Sequence, residues 1–255
     1  MLIDKEIVRK RFGKSWLSYN QHASVQREIC RKLAGLLSAN ERTTIGSLLE
    51  VGCGSGLLTN EILNIAKPRE YYANDLVCAA ENGIEQIFRN HRFNNWSFLE
   101  GDAELIAFPE QLDAVLSSST MQWFHHLQAF LLKVHQALKP GGLFAFSTFG
   151  PQNFIEIKAA CNQGLSYFSA DEIREMLSAN FDLLSLHEEQ VQLHFHQPVD
   201  VLRHIKNTGV NALEKTACWN RRRLEEFEQN YPVSPTNDFR LTYHPILIIA
   251  QKKHE

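Results

Sequence analysis

Seven residues, Glu50-Val51-Gly52-Cys53-Gly54-Ser55-Gly56, place three glycines at alternate positions between an apolar run and a segment of helical period. Glycine at such a junction lets the backbone take positive φ or approach a ligand with no Cβ in the way. A dinucleotide loop needs G-x-G-x-x-G, with pyrophosphate on the helix N-terminus. Here Leu57 stands three after Gly54, and the third glycine falls early, at Gly56. The Gly-Lys-Ser/Thr ending of a nucleoside triphosphate loop is also missing. Asp75 closes the next apolar run, 19 residues past Gly56, where a carboxylate can bridge the two hydroxyls of a ribose. Asp102 follows the run after that and can accept a hydrogen bond from an exocyclic amine such as that of adenine. Three carboxylates at successive strand ends, Glu50, Asp75 and Asp102, with no compensating lysine in those loops, disfavour phosphate and suit a nucleoside carrying positive charge. S-adenosylmethionine, with its sulfonium and ammonium, meets that description.

Such a crevice needs strands that end side by side, and the chain supplies them. Short apolar runs alternate with helical segments, the pattern of a doubly wound α/β protein with a mostly parallel sheet. Strands are predicted at 47–51, 71–76, 96–100, 112–117 and 143–149, with helices at 57–65, 77–90 and 127–138 between them. Lys139-Pro140-Gly141-Gly142 is predicted as a turn, and Ser169 as the cap of a helix over 171–179, three residues ahead of Glu172. Phe181 to His196 alternates and reads as one half-exposed strand. The first 40 residues read as helices, with Val25, Ile29, Leu33, Leu36 and Leu37 on one face. From Pro198 to Asn237 the rhythm breaks into two helical segments, a lid-like insertion, before a last strand at 246–251 that Pro245 must precede.

Composition sets the remaining bounds. The 255 residues carry 26 Lys+Arg against 29 Asp+Glu, a net charge of -3, which argues against a general nucleic-acid binder. The five cysteines are scattered and contain no CxxC pair, so neither a zinc site nor a disulfide framework is expected. With no apolar h-region at the start and no run long enough to span a bilayer, the expected location is cytoplasmic, without a membrane partner.

The glycine loop, the Asp75 strand end, Gly101-Asp102-Ala103-Glu104, Leu112-Asp113-Ala114-Val115 and Lys139-Pro140-Gly141-Gly142 together resemble class I S-adenosylmethionine-dependent methyltransferases. The resemblance implies a Rossmann-like sheet of seven strands, the last one antiparallel, within a single domain over 1–255. In that domain residues 1–40 are N-terminal helices, 47–149 the cofactor core, 198–237 the lid and 246–251 the last strand. It implies Glu50, Gly52, Gly54 and Gly56 at the methionine part of the cofactor, Asp75 and Leu76 at the ribose, Asp102 and Ala103 at the adenine, and the Ser117 backbone closing the other side.

The acceptor must be read elsewhere. The segment after the fourth strand, Ser117-Ser118-Ser119-Thr120-Met121-Gln122-Trp123, has neither the Asn/Asp-Pro-Pro-Tyr of nitrogen-methylating enzymes nor metal-binding carboxylates. His125 and His126 follow but read as helix-surface residues. A carboxylate substrate, with an unperturbed pKa of roughly 4, needs no base and can attack directly once aligned. The flanks, Arg11-Phe12-Gly13, Tyr19-Asn20-Gln21-His22-Ala23, Met121-Gln122-Trp123, Arg203-His204-Ile205-Lys206-Asn207-Thr208-Gly209 and Leu241-Thr242-Tyr243-His244, resemble the malonyl-[acyl-carrier protein] O-methyltransferases of biotin synthesis. Ser118 departs from the Ser-Asn usual there. The resemblance implies methylation of the free carboxyl of a malonyl thioester on acyl carrier protein or coenzyme A. Arg203 and Tyr19 are then the expected holders of the substrate carboxylate, Gln122 and Trp123 the pocket floor, and no metal is expected. An acidic carrier protein requires a basic dock. Arg9, Lys10, Arg11 and Lys14 form one candidate and Arg221, Arg222 and Arg223 another. A methyltransferase for another small acid or a quinone precursor, or a non-catalytic cofactor-binding partner, would keep the same core.

Overall fold

The computed structural model describes residues 4–39, 45–208 and 220–254; within the first helix the side chains at 11, 14–18, 20 and 21 fall outside the description. Helices α1 (Lys5–His22) and α2 (Ser24–Ala39) precede β1 (Ser47–Val51), α3 (Leu57–Ile65), β2 (Glu70–Asp75), α4 (Ala80–Asn90), β3 (Trp96–Glu100) and β4 (Leu112–Ser118). A 3-10 turn, Met121–Trp123, leads to α5 (Leu127–Ala137) and β5 (Leu138–Phe149). Then come α6 (Ile155–Cys161), α7 (Ala170–Ser178), β6 (Phe181–Glu188), β7 (Val191–Phe195), α8 (Pro198–Asn207), α9 (Arg221–Asn230), β8 (Phe239–Tyr243) and β9 (Pro245–Lys252).

Seven strands form one sheet in the order β3-β2-β1-β4-β5-β9-β6. The pairs among β1 to β5 are parallel, and β9 runs antiparallel to both β5 and β6. The last strand in sequence is therefore the antiparallel one, as expected, and Pro245 is its first residue, where a missing N–H costs least. Strand order reverses between β1 and β4, so their carboxyl ends open a crevice at a topological switch point.

Helices cover both faces. On one, Leu33, Leu37, Ile62, Ile84 and Phe88 from α2, α3 and α4 pack on Leu48, Tyr71 and Ala114. On the other, Phe130, Leu131 and Val134 of α5 and Ile173 and Leu177 of α7 pack on Val115, Phe144 and Phe146. Ser169 caps α7 in a complete capping box with Glu172. A third cluster joins Val25, Ile29 and Trp123 to Phe149, Val201, Ile205, Phe227 and Tyr243, holding α8 and α9 against the carboxyl side of the sheet.

Three expectations are corrected. The alternating run from Phe181 is two strands: β6 edges the main sheet, whereas β7 leaves it after Glu189 and pairs with β8 in a separate two-stranded sheet. The alternation itself is real, with Val191, Leu193 and Phe195 half-buried and Gln192 and His194 exposed. Lys139 to Gly142 is no turn ahead of β5 but a bulge within it. Leu112 pairs with Leu138 and Ala114 with Leu143, so the intervening residues loop out, with Gly141 at φ 72°. Helix α4 starts at Ala80 rather than Val77: the residues before it form a turn, closed by Ala80 N–H on Val77 O at 2.9 Å, and the Asp75 side chain accepts from Val77 N–H. α6 and β8 had no expectation attached to them.

Candidate active site

A cleft of about 890 Å3, mouth included, lies at the carboxyl ends of β1, β2, β3 and β4. Helix α1 forms its outer wall. Lys5, Val8, Arg9, Phe12 and Tyr19 line the cleft at spacings of three, four and seven residues, so they share one helical face.

The glycine loop divides its work. Gly52, at φ 71°, has no room for a side chain, since a Cβ would fall 2.2 Å from Thr120 Oγ1. Gly54, at φ 50°, lines the cleft, and a Cβ there would meet nothing within 4 Å. Gly56 does not line the cleft: it precedes α3 in the left-handed region, and a Cβ would fall 2.3 Å from Ile87 Cδ1 of α4. Its glycine is required by helix packing, not by a ligand.

Asp75 ties the loop to β2. Its Oδ2 accepts from Gly54 N–H at 2.8 Å and its Oδ1 from Val77 N–H at 2.8 Å. Burial pushes this carboxyl upward against the pull of those backbone donors. Glu50 lies deeper, accepting at Oε2 from Thr59 Oγ1 at 2.6 Å and from the Tyr71 hydroxyl at 2.5 Å. Burial pushes it up to about 7, the two hydroxyls opposing. Burial also raises the Tyr19 phenol, which keeps its proton through the neutral range.

Asp102 lines the far end with Leu76, Ala103 and Phe124. Here the expectation of an uncompensated crevice is corrected, because Lys5, remote in sequence, donates to both Asp102 oxygens at 2.7 Å and also to Glu104. Burial would raise Glu104, but Lys5 and the backbone N–H groups of His125 and His126 outweigh it and hold it low. Arg9 pairs with Glu100 at 3.3 Å.

Other expected residues fall outside the cleft. Ser117 is buried and does not line the cleft, and the wall its backbone was expected to supply is made by Ser118, Ser119 and Thr120; its hydroxyl donates to Val51 O. Trp123 lines the cleft, edge-on to Phe12 with ring centroids 5.9 Å apart, but Gln122 folds back to donate to Ser119 O at 2.6 Å. Arg203 is on the solvent face of α8, opposite buried Val201 and Ile205, and pairs with Asp200 at 2.6 Å. His125 and His126 are exposed. Arg221 and Arg222 are exposed and paired with Glu225 and Glu226; the side chains of Arg11 and Lys14 lie outside the described residues. Asn74, Phe12 and Lys5 were missed, although the helical spacing of Lys5, Arg9, Phe12 and Tyr19 was readable.

The residues present fit S-adenosylmethionine. A glycine with open space above it lines one wall, a carboxylate is fixed beside it, a second carboxylate lies among apolar groups, and the Ser119 hydroxyl is buried with no bonding partner among the described residues. No group of His, Cys, Asp or Glu able to hold a metal is found among the described residues.

Fold and cleft together define a class I methyltransferase. A family model described as a methyltransferase domain matches residues 19–186. The Burkholderia thailandensis 1,6-didemethyltoxoflavin-N1-methyltransferase, solved with S-adenosylhomocysteine, superposes with a TM-score of 0.60 at 15% identity, covering 98% of this chain and 88% of that one. Relatives at higher identity narrow the class. The malonyl-[acyl-carrier protein] O-methyltransferase of Bacteroides thetaiotaomicron is 37% identical, over 98% of this chain and 99% of its own length. That of Acinetobacter baylyi is 36% identical over 98% of each. The chain belongs to the malonyl-[acyl-carrier protein] O-methyltransferase family.

Proposed function

We propose that this chain methylates the free carboxylate of a malonyl thioester carried by acyl carrier protein, forming the methyl ester that primes biotin synthesis. When bound, S-adenosylmethionine supplies an electrophilic methyl group on a positively charged sulfur. One observation carries the choice of acceptor: the described groups lining the cleft include no free base. Its titratable members are Lys5, Arg9, Asp75, Asp102 and Tyr19. Asp75 is held by backbone N–H groups, Asp102 by Lys5, and Tyr19 keeps its proton. An acceptor methylated here must arrive as a competent nucleophile, as a carboxylate does and a neutral phenol or alcohol does not. Among acceptors that need no base, the malonyl-[acyl-carrier protein] O-methyltransferase relatives favour the carboxylate. The chain's contribution is then alignment and exclusion of water by Phe12, Trp123 and Phe124.

Of the two residues proposed to hold the malonyl carboxylate, Tyr19 has the better support, since it lines the cleft and its protonated hydroxyl can donate. Arg203 can take part only by leaving Asp200 and reaching in from the α8 surface. Between the docking candidates, the α1 cluster is favoured. The arginines of α9 are balanced within their own helix by Glu225, Glu226 and Glu228, whereas in the α1 cluster Arg9 pairs with Glu100 and the sequence sets Lys10, Arg11 and Lys14 against Glu6 alone. The deciding assay measures methyl transfer to malonyl-carrier, malonyl-coenzyme A, aconitate and a polyprenyl phenol. Product from malonyl-carrier supports the reading, and product only from aconitate or the phenol overturns it. Arg203→Ala at full activity would remove that residue while leaving the reaction intact.

A further inference from the structure

Next to the main cleft lies a smaller annex, which shares Tyr19, Gly52, Gly54, Ser55, Ser118 and Ser119 with it and adds Gln26, Cys30 and Glu50. Gln26 comes from α2, is 2% exposed, and neither its amide nitrogen nor its amide oxygen has a bonding partner among the described residues. The Ser119 hydroxyl beside the same space is also buried without a partner. Buried amides are nearly always satisfied, and one left bare on both sides costs on the order of a lost hydrogen bond for each atom. The Tyr243 hydroxyl is near enough to interact with the Gln26 amide but does not meet bonding geometry with it, being engaged with His204 Nε2 at 2.8 Å, and the Cys30 thiol donates to Ser118 Oγ at 3.3 Å.

The two ends of the combined space differ in chemistry. Toward Asp102 the wall is Leu76, Val77, Ala103 and Phe124, suited to a flat apolar ring with one amine. Toward Gln26 the wall adds an amide, hydroxyls, a positive-φ glycine and the Glu50 carboxyl beside Cys53, Leu57 and Leu58. A nucleoside that ends in an amino acid has the same two unlike ends. A primary amide offers donors to a carboxylate and an acceptor to an ammonium, so one side chain can meet both halves of a zwitterion. A malonyl group tethered to a large carrier must enter from the open cleft instead.

We infer that Gln26, with the Ser119 hydroxyl, is the positioning site for the α-amino-carboxylate end of the cofactor, fixing how far the sulfonium methyl projects toward the acceptor. This rests on the methyltransferase reading and adds to it a residue outside the glycine loop and the strand ends.

The test uses two ligands that differ only at that end. S-adenosylhomocysteine carries the amino acid; 5′-methylthioadenosine does not. Calorimetry on the full chain should show Gln26→Leu weakening S-adenosylhomocysteine roughly tenfold to a hundredfold, the size of lost bonds to charged groups. Affinity for methylthioadenosine should stay within about twofold. Because leucine relieves an unsatisfied buried amide, the melting temperature without ligand should not fall; Gln26→Met, of closer shape, controls for packing. Unchanged S-adenosylhomocysteine affinity overturns the inference, including the case in which only the KM for malonyl-carrier rises. Equal loss for both ligands overturns it too. If the unmutated chain binds neither nucleoside, the methyltransferase reading itself fails, and this inference with it.

Discussion

Asp75 is the residue at which loop geometry and ligand chemistry can be separated by one substitution. Its two oxygens each accept a backbone N–H at 2.8 Å, from Gly54 and from Val77. Asp75→Asn keeps the shape but replaces one acceptor by a donor, so one of those N–H groups then faces N–H. A bond to a charged group contributes about 1.5–3 kcal/mol, and an orphaned buried donor costs about 1–3 kcal/mol. The loss is partly offset because burial already disfavours the Asp75 charge. The expected net destabilisation is about 1–2 kcal/mol, a fall of roughly 2–8 °C in melting temperature for a chain of this length. The ribose contact is an additional effect. Losing one charge-assisted acceptor should weaken S-adenosylhomocysteine by a further ~1.5–3 kcal/mol, roughly tenfold to 150-fold in Kd. Thermal denaturation without ligand reads the first effect and calorimetry the second. A variant that melts lower but binds normally would leave Asp75 as a brace for the loop alone. If neither quantity moves, the carboxylate holds neither loop nor ribose, and the assignment is wrong.

Three further outcomes follow from the site. Glu50 titrates near 7 when folded against an ordinary value of 4.5, so its contribution is fully present below about pH 4.5 and is lost as pH rises through about 7. Glu50→Gln should therefore flatten the decline in denaturant stability across that window, by up to ~3 kcal/mol, and an unchanged pH profile refutes the shift. His204 is pushed down to about 4 by burial and by His22, so stability should fall as pH drops from about 6.5 toward 4, and His204→Asn should remove that acid limb in the same titration. Gly54→Ala and Gly56→Ala should separate cleanly. The first puts a methyl into the open cleft and should abolish S-adenosylhomocysteine binding with a loss of about 1–2 kcal/mol of stability. The second drives a methyl into Ile87 and should lower the melting temperature several degrees further.

How much of this was legible depended on whether the signal was local. The strand–glycine–helix unit at 47–65, the capping box at Ser169 and the antiparallel last strand follow from spacing and backbone chemistry within a few residues, and they appear where expected. The split between β6 and β7 did not show, because alternation continues through a strand that changes partner, and only the partner β8 distinguishes them. The displacement of the cleft wall from Ser117 to Ser118–Thr120 has the same origin. Side chains alternate along a strand, and the register that sends the Ser117 hydroxyl to Val51 is set by β1. Arg203 was chosen for its chemistry on a lid, and its outward direction is fixed by Val201 and Ile205 taking the inward face of α8.

The charge pattern of the cleft shows why a remote contact changes a sequence argument without reversing it. From the strand ends alone the crevice was expected to repel phosphate, since no lysine stood near its carboxylates; Lys5 supplies one from α1. Yet an ammonium has three donors, and Lys5 directs bonds at both oxygens of Asp102 and at Glu104, so none remains for a phosphate. Counting Glu100 and Glu104, the two cations Lys5 and Arg9 meet four carboxylates with Asp75 and Asp102, so the site stays anionic. Asp102, for its part, accepts from Lys5 and from Glu104 N–H. A carboxylate has about four lone-pair sites, so one is left for an exocyclic amine. Lys5 thus neutralises part of the charge without using up the acceptor. Because Arg9, described with one bond to Glu100, has further N–H donors, the preference for a cationic nucleoside over a phosphorylated one rests on the anionic balance of the site rather than on donor number.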